Sequence, residues 1–332
     1  MKNPPFARFA FDSRNPDLAD PFEAYHDLYA VGSDVQRVGA RFEARFEARL
    51  LDRLVLFDRH LNDVAHERTA TRVRADGFTH FTLQLVLSGR MRIELATGAR
   101  EVRPGEIAVF DLTRPQRTLA FDARILTFSV PRDIVEHATI HAMGLHGTVL
   151  DTAQGALLAD VMVSIVKRRL AETTSDPAGV VRVLQAGLAL ALRREDDGLD
   201  KADTVEILER VRLVVEAHLG RRDLAPAIVA HLSGVSRTQL YALFKPMGGV
   251  SRYIQDRRVA RLRASLLHAG GRATSIEQLA FQAGFASGSH ASRLFTQTYG
   301  TTPGRFRADG TDRTALEPTR RSHFETWLRT LA

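Results

Sequence analysis

The hydrophobic period of the chain changes near its middle. From Phe42 to Leu50 (Phe-Glu-Ala-Arg-Phe-Glu-Ala-Arg-Leu) apolar residues fall at every second position, with charges between them. Such alternation predicts a half-buried strand, although Phe42, Phe46 and Leu50 would also share one face of a helix. Short apolar runs then alternate with turn signals. Phe81–Leu87 is closed by Ser88-Gly89, and Met91–Leu95 by Thr97-Gly98. Arg103-Pro104-Gly105-Glu106 leads into Ile107–Leu112, and Ile125–Val130 follows. Short strands at this spacing predict an antiparallel sandwich or barrel. Residues 1–40 show no clear period.

Past Pro131 the period becomes helical. Leu157–Leu170 and Val180–Leu192 repeat apolar residues at spacings of three and four. The charged, glycine-containing run from Arg194 to Lys201 predicts an interdomain linker, placed at 194–203. From about Thr204 to Arg307 the chain reads helical throughout. The expected organisation is α+β: a β-rich domain over 1–193 with its helical part at 132–193, then an all-α domain over 204–308. The tail, 309–332, ends in an amphipathic stretch around Phe324, Trp327 and Leu331, expected to be disordered or packed on the surface.

Within the helical region two segments repeat one design. In Leu224–Lys245, Pro226 suits a first helical turn, where its missing N–H is not needed. Ile228, Val229 and Leu232 give that helix an apolar face, and Gly234 permits a tight turn. Ser236 can cap the next helix, with Gln239 completing a capping box. Leu240, Leu243 and Phe244 face inward, leaving Arg237, Thr238, Tyr241 and Ala242 exposed with Gln239 at the edge. In Thr274–Phe295, Thr274 or Ser275 can cap Ile276–Ala283, Gly284-Phe285 turns the chain, and Ser287 caps a second helix. Leu294 and Phe295 point inward there, while Ser289, His290 and Arg293 occupy the other side. A long helix joins the two, with Tyr253, Ile254, Val259, Leu262, Leu266 and Leu267 as its core face and Arg252, Arg257, Arg258, Arg261 and Arg263 crowding it. These are two helix-turn-helix units.

Charge sharpens that reading. Residues 201–308 hold 16 Lys and Arg against 7 Asp and Glu, a net of +9, which leaves −2 of the chain's +7 for the rest. A basic helical domain beside a near-neutral one points to a polyanionic partner, double-stranded DNA for helix-turn-helix units. The chain has no cysteine, which removes disulfides, thiolate metal sites and cysteine nucleophiles and fits a cytoplasmic protein. No stretch approaches the roughly 20 apolar residues needed to cross a bilayer, and Met1–Ala10 lacks the pattern of a signal peptide.

Gly284-Phe285-Ala286-Ser287-Gly288-Ser289, then Ser292-Arg293-Leu294-Phe295, then Tyr299-Gly300-Thr301-Thr302-Pro303-Gly304-Arg305-Phe306-Arg307 resemble the C-terminal signature of AraC/XylS-type transcription regulators. Ser236–Lys245 and Tyr253-Ile254…Arg257 match the same family, so the resemblance spans about 100 residues. Two departures stand out: Ala291, where the family usually has an aromatic residue, and Pro226, at a usual apolar position. The resemblance implies that each unit lays its second helix in a major groove. Base contacts would then come from Arg237, Thr238, Gln239, Tyr241 and Ala242 in the first, and from Gly288, Ser289, His290 and Arg293 in the second. Arg293 would be the bidentate reader of guanine, while Ala242 offers only a methyl contact.

The resemblance also implies a cupin-like β-barrel or jelly roll that binds a small-molecule effector and supports a homodimer. RNA polymerase is a further partner it allows. His66-Glu67-Arg68, Ser88-Gly89 and Ser129-Val130-Pro131-Arg132 resemble the XylS-related subgroup. Such a barrel can hold one small ligand. The expected lining is apolar with a few polar groups, and Phe46, His66, Arg68, Phe81 and Phe128, with Leu54 and Leu85, are the candidates against a background of ordinary core packing. An enzyme is not expected. The strand where metal-using cupins carry a histidine pair offers only His80, followed by Phe81-Thr82-Leu83, and an open metal site needs that pair. His137 and His141, with His146 nearby, have zinc-compatible spacing but no acidic partner, and read as surface or partly buried histidines. No cofactor is implied. Two other readings remain open: a barrel that serves only dimerisation or protein contact, and a cupin enzyme fused to a DNA-binding domain.

Overall fold

The structure, a computed structural model, describes residues 8–30, 32–76, 78–139, 142–193, 201–267, 274–299 and 301–314, and divides into two units between Arg193 and Arg194. The first unit opens with β1 (Arg8–Asp12), α1 (Pro21–Tyr29) and β2 (Asp34–Arg37), all within the stretch whose sequence shows no period. A local signal for α1 exists: Asp20 caps it, accepting from the amides of Phe22 and Glu23, and Pro21 occupies its first turn.

The alternating segment is strand β3 (Glu43–Leu51), with Ala44, Phe46 and Ala48 buried; the helical alternative is not realised. It pairs with β4 (Leu54–Asn62) across Asp52-Arg53, where Asp52 takes the positive φ (51°) of a tight hairpin. There follow β5 (Val64–Arg68), α2 (Ala70–Asp76), β6 (Phe81–Leu95), β7 (Gly98–Val102), β8 (Ile107–Asp111) and β9 (Gln116–Val130). After them come α3 (Arg132–Ala138), β10 (Thr148–Leu150), α4 (Thr152–Lys167), α5 (Leu170–Thr173) and α6 (Pro177–Ala191).

The strands form one antiparallel sheet in the order β1-β3-β4-β9-β6-β8-β10, with β2-β5 added through β9 and β7 through β6. Thus β6 and β9 are shared by two layers. The C-terminal half of β9 lies beside β4 and its N-terminal half beside β5, while β6 follows it along its length. Here the structure corrects the sequence reading. Phe81–Leu87 and Met91–Leu95 are one 15-residue strand, and Ile125–Val130 is the end of another. Ser88-Gly89 is not a chain reversal but a bulge, marked by register shifts between Val86 and Arg90. A Cβ on Gly89 would stand 2.0 Å from the carbonyl oxygen of Asp122, which itself has φ of 45°. Bulges and turns draw on the same residues, so local chemistry alone does not separate them.

The shared strands bury both faces, and their residues divide by parity. Phe46, Phe57, Val86, Ile93, Ala108 and Phe110 belong to the core inside the barrel. Phe81, Leu83, Leu85, Ile107, Val109, Leu126, Phe128 and Val130 point the other way, onto Ile134 of α3, Leu158, Met162 and Ile165 of α4, and Val181, Leu184 and Leu188 of α6. Both predicted helices at 157–170 and 180–192 are present, starting a few residues earlier at the side-chain caps of Asp151 and Asp176.

The second unit is helical: α7 (Lys201–His218), α8 (Pro226–Ser233), α9 (Arg237–Phe244), α10 (Val250–Leu267), α11 (Ile276–Gln282), α12 (Gly288–Tyr299) and α13 (Pro303–Thr314). Lys201 already lies in α7, so 201–203 are helix rather than linker, and 194–200 lie outside the described residues. The final helix runs past 308 to Thr314; Phe324, Trp327 and Leu331 lie outside the described residues. Long helix α10 packs against α9 on one side of the unit and against α11, α12 and α13 on the other.

Candidate nucleic-acid interface and barrel cavity

Each helix-turn-helix unit is built by caps and a shared core. In the first, Gly234 ends α8 in the left-handed conformation (φ 66°) and Ser236 caps α9, accepting from the Gln239 amide at 3.1 Å. The reciprocal half of the expected capping box is absent, which leaves the Gln239 side chain exposed on the outer face. Leu240 and Phe244 are buried, Phe244 against Tyr253 of α10. Arg237, Thr238, Gln239, Tyr241 and Ala242 are all exposed, Tyr241 by 52%.

In the second unit the full capping box is present, but on α11: Ser275 accepts from the Gln278 amide and the Gln278 side chain accepts from the Ser275 amide. Ser287 caps α12 through the His290 amide at 3.2 Å. Ser289 and Arg293 are exposed; Gly288 and His290 are half-buried, and the His290 ring stands edge-on to Phe285. Ala291 is fully buried within a cluster of Phe285, Phe295, Tyr299 and Phe306. Those four rings occupy the neighbourhood in which the family places an aromatic side chain at this position.

Not all the arginines of α10 face outward. Arg257 pairs with Glu216 of α7, and Arg258 donates to the carbonyl of Arg221 at 2.7 Å just beyond the end of α7. Arg263 is buried with its guanidinium over Tyr299 and Phe306. These three hold the unit together, while Arg252 and Arg261 remain exposed. Part of the positive charge counted in the sequence is therefore internal.

The sheet-rich unit holds a partly open cavity of about 90 Å³. One water needs roughly 10–15 Å³ of such space, so several waters or one small organic molecule fit. Of the residues predicted to line it, His66 and Arg68 do; Phe46, Phe81 and Phe128 do not, nor do Leu54 and Leu85. Phe46 packs inside the barrel against Tyr29 and Phe57. Phe81, Leu85 and Phe128 lie on the helix-covered face. Their polar neighbours in the strand, Thr82, Gln84, Thr127 and Ser129, face the cavity instead. The alternation Phe-Thr-Leu-Gln-Leu reads as apolar-in and polar-out when one face meets water. Here helices cover the apolar face, and the polar face is the interior.

The charged groups of that wall differ in their pairing. Arg68 is buried and paired through both terminal nitrogens: Nη1 and Nη2 donate to Asp76 at 2.6 and 3.1 Å, and Nη2 also donates to the Leu112 carbonyl at 2.8 Å, while its Nε has no partner. Arg59, on β4 and only 7% exposed, donates from Nη2 to Thr127 Oγ1 at 2.6 Å and to Gln84 Oε1 at 3.3 Å. His66 shares a hydrogen bond of 2.9 Å with the Tyr25 hydroxyl. Burial, reinforced by the nearby charge of Arg59, lowers its pKa to about 3, so its ring is neutral at physiological pH. His137 bonds a carbonyl of its own helix and His146 that of Pro115, while His141 lies outside the described residues.

Comparison with known proteins decides the family. Residues 26–193 match the AraC-binding-like domain and residues 229–309 a helix-turn-helix domain, together most of the chain. The chain belongs to the AraC family of transcription regulators. This AraC-family chain is similar to the transcriptional activator NphR of Rhodococcus sp, 28% identical over 255 residues, which span 73% of this chain and 74% of that protein. It is 33% identical over 98 residues to the transcriptional activator RhrA of Rhizobium meliloti (strain 1021), covering 29% of this chain and 31% of that protein. The crystal structure of the AraC-like transcriptional activator CuxR superposes with a TM-score of 0.54 at 25% identity, covering 83% of this chain and 99% of that one. The AraC-family chain is thus a DNA-binding transcription regulator, with a sheet-rich N-terminal unit and a helical C-terminal one. Among its described residues no helix is long and apolar enough to cross a membrane.

Proposed function

We propose that this regulator reads its operator through the outer faces of α9 and α12 and answers to a small molecule held in the barrel. The observation that carries the first half is the exposure of Arg237, Thr238, Gln239, Tyr241, Ala242, Ser289 and Arg293 on helices whose opposite sides are locked into the core. Gly288 and His290 complete the second reading helix at its N-terminal turn, where a backbone can approach a duplex closely. Arg293, with no acidic residue within ion-pair distance among the described residues, is free to place its fork on guanine. The outward side of α10, with Arg252 and Arg261, suits phosphate contact. A small-molecule effector is supported by a buried cavity that combines apolar wall with several polar side chains; the relatives named as regulators favour a sensing role over an enzymatic one.

The division of labour proposed is effector binding and pairing by residues 1–193 and DNA binding by the helical unit. Leu157, Val183 and Leu190 are 53%, 55% and 52% exposed on α4 and α6, and this surface supports a homodimer. As the relatives are named activators, contact of the DNA-bound protein with RNA polymerase follows as part of the same reading. The test is fluorescence anisotropy of the full chain on DNA from upstream of its own gene, beside scrambled DNA, over a salt series. Tighter binding to the natural DNA, with the gap narrowed by Arg293→Ala, is the expected result. Equal affinity for both, with a steep salt slope, would reduce the contacts to phosphate and refute base readout. Light scattering that gives a monomer at micromolar concentration would remove the dimer.

A further inference from the structure

The cavity of the sheet-rich unit holds one charge that no carboxylate among the described residues balances. Two guanidiniums reach its wall, and they are not equivalent. Arg68 is neutralised by Asp76. Arg59 has no carboxylate within 4 Å among the described residues, and no acidic side chain belongs to the cavity wall. Its bonds to Thr127 and Gln84 use neutral acceptors and only Nη2; its buried Nε has no partner, as is also true of Arg68, so the missing carboxylate is what sets the two apart. A guanidinium carries five donors and keeps its charge at any physiological pH. Burying such a charge without a counter-ion is among the costlier arrangements a protein interior can adopt. The hydroxyls of Thr82 and Ser129 line the same cavity, and Thr82 Oγ1 is likewise buried without a partner. Apolar wall comes from Phe57, Phe78 and Leu112.

We infer that the barrel cavity binds a small organic acid, with its carboxylate on the guanidinium of Arg59 and its apolar body against Phe57 and Phe78. One unbalanced positive charge calls for one negative charge. A monocarboxylate supplies it, and its two oxygens match the fork of a guanidinium. A dianionic phosphate would leave a charge over, because Arg68 is already occupied. Thr82 can donate a hydrogen bond to the same carboxylate. This deepens the proposal of an effector-binding barrel and rests on it.

The experiment uses the full chain and thermal unfolding. Acetate, hexanoate, benzoate and phenylacetate are each compared with the corresponding amide, and inorganic phosphate is added as a separate arm. The expected result is that at least one acid raises the midpoint by roughly 2–4 °C while its amide does not. Arg59→Met abolishes that shift, and without any acid its midpoint lies above that of the parent, because an unbalanced buried charge has been replaced by apolar volume. Arg59→Lys, which keeps the charge and loses the fork, retains a smaller shift. Four results would overturn the inference: no acid shifts the parent, an amide shifts it as much as its acid, phosphate shifts it most, or Arg59→Met is less stable than the parent without ligand. If the amides stabilise and the acids do not, an effector-binding barrel survives and only the carboxylate is wrong. If neither set does, the sensing barrel falls with it.

Discussion

The two helix-turn-helix units perform the same turn on different local support. In the first, α8 begins at Ala225, whose side chain caps nothing, and α9 is eight residues long. In the second, α11 begins at the double-sided box of Ser275 and Gln278, and α12 has twelve residues. The turns differ as well. Gly234 takes φ of 66° with open space where a Cβ would go, whereas a Cβ on Gly284 (φ 92°) would lie 2.0 Å from the Leu219 carbonyl oxygen. The second unit is closed at its turn against the backbone just after α7 and ringed by aromatics; in the first, α9 is seated by Leu240 and by Phe244 against Tyr253. Local reinforcement is thus concentrated in the unit that carries Arg293, the residue proposed to read guanine.

The sharpest way to break that asymmetry is at the two glycines. Gly284→Ala meets backbone as well as an unfavourable φ and should destabilise the second unit by on the order of 3 kcal/mol. Hydrogen exchange across α11 and α12 of the full chain should show protection falling by more than a hundredfold, about the ratio that energy implies. Gly234→Ala meets only the φ penalty, about 1 kcal/mol, and should leave the first unit folded. Equal effects at the two positions would erase the distinction. Next comes readout. Arg293→Ala should reduce discrimination between operator and scrambled DNA by roughly 1–3 kcal/mol, and anisotropy should find a smaller loss for Tyr241→Ala. Should Tyr241→Ala cost more, the first unit is the principal reader.

The caps offer the smaller tests. Ser275→Ala removes the hydroxyl arm of the box, leaving the backbone amide of residue 275 to donate to Gln278, and should cost about 1 kcal/mol, seen as faster exchange in α11. Ala225→Ser should do the reverse for α8. Residue 225 already has the extended backbone of a capping position, so a hydroxyl there should add roughly 0.5–1 kcal/mol and slow exchange in α8. No change on adding it would mean that α8 is limited by something other than its start.

The helical unit was legible because its instructions are local. Pro226, Gly234, Ser236, Ser275, Gly284 and Ser287 each act within a turn or two of themselves, and their spacing carries the design. What failed there failed for the same reason: whether the Gln239 side chain folds back on its cap or stays outward depends on a partner that spacing does not name. In the barrel the decisive facts are long-range. Strand identity was readable from alternation at 42–50, but which parity faces the cavity depends on helices α3, α4 and α6 arriving from later in the chain. Phe81 and Phe128, candidates for the lining against a background of core packing, are core residues on the helix-covered face, and Thr82, Gln84, Thr127 and Ser129 line the cavity instead. Arg59 was missed because an arginine in an alternating strand reads as solvated; only pairing in three dimensions shows that it is enclosed.

The two-sided character of β9 has a consequence for how far a message must travel. Thr127 and Ser129 border the cavity, and Phe128 and Val130, their immediate neighbours, are seated in the helical layer behind. A single thickness of peptide is all that separates an occupied interior from the side chains on which α4 and α6 rest. For the proposed effector, the path from the cavity wall to the packing of α4 and α6 would be one residue long.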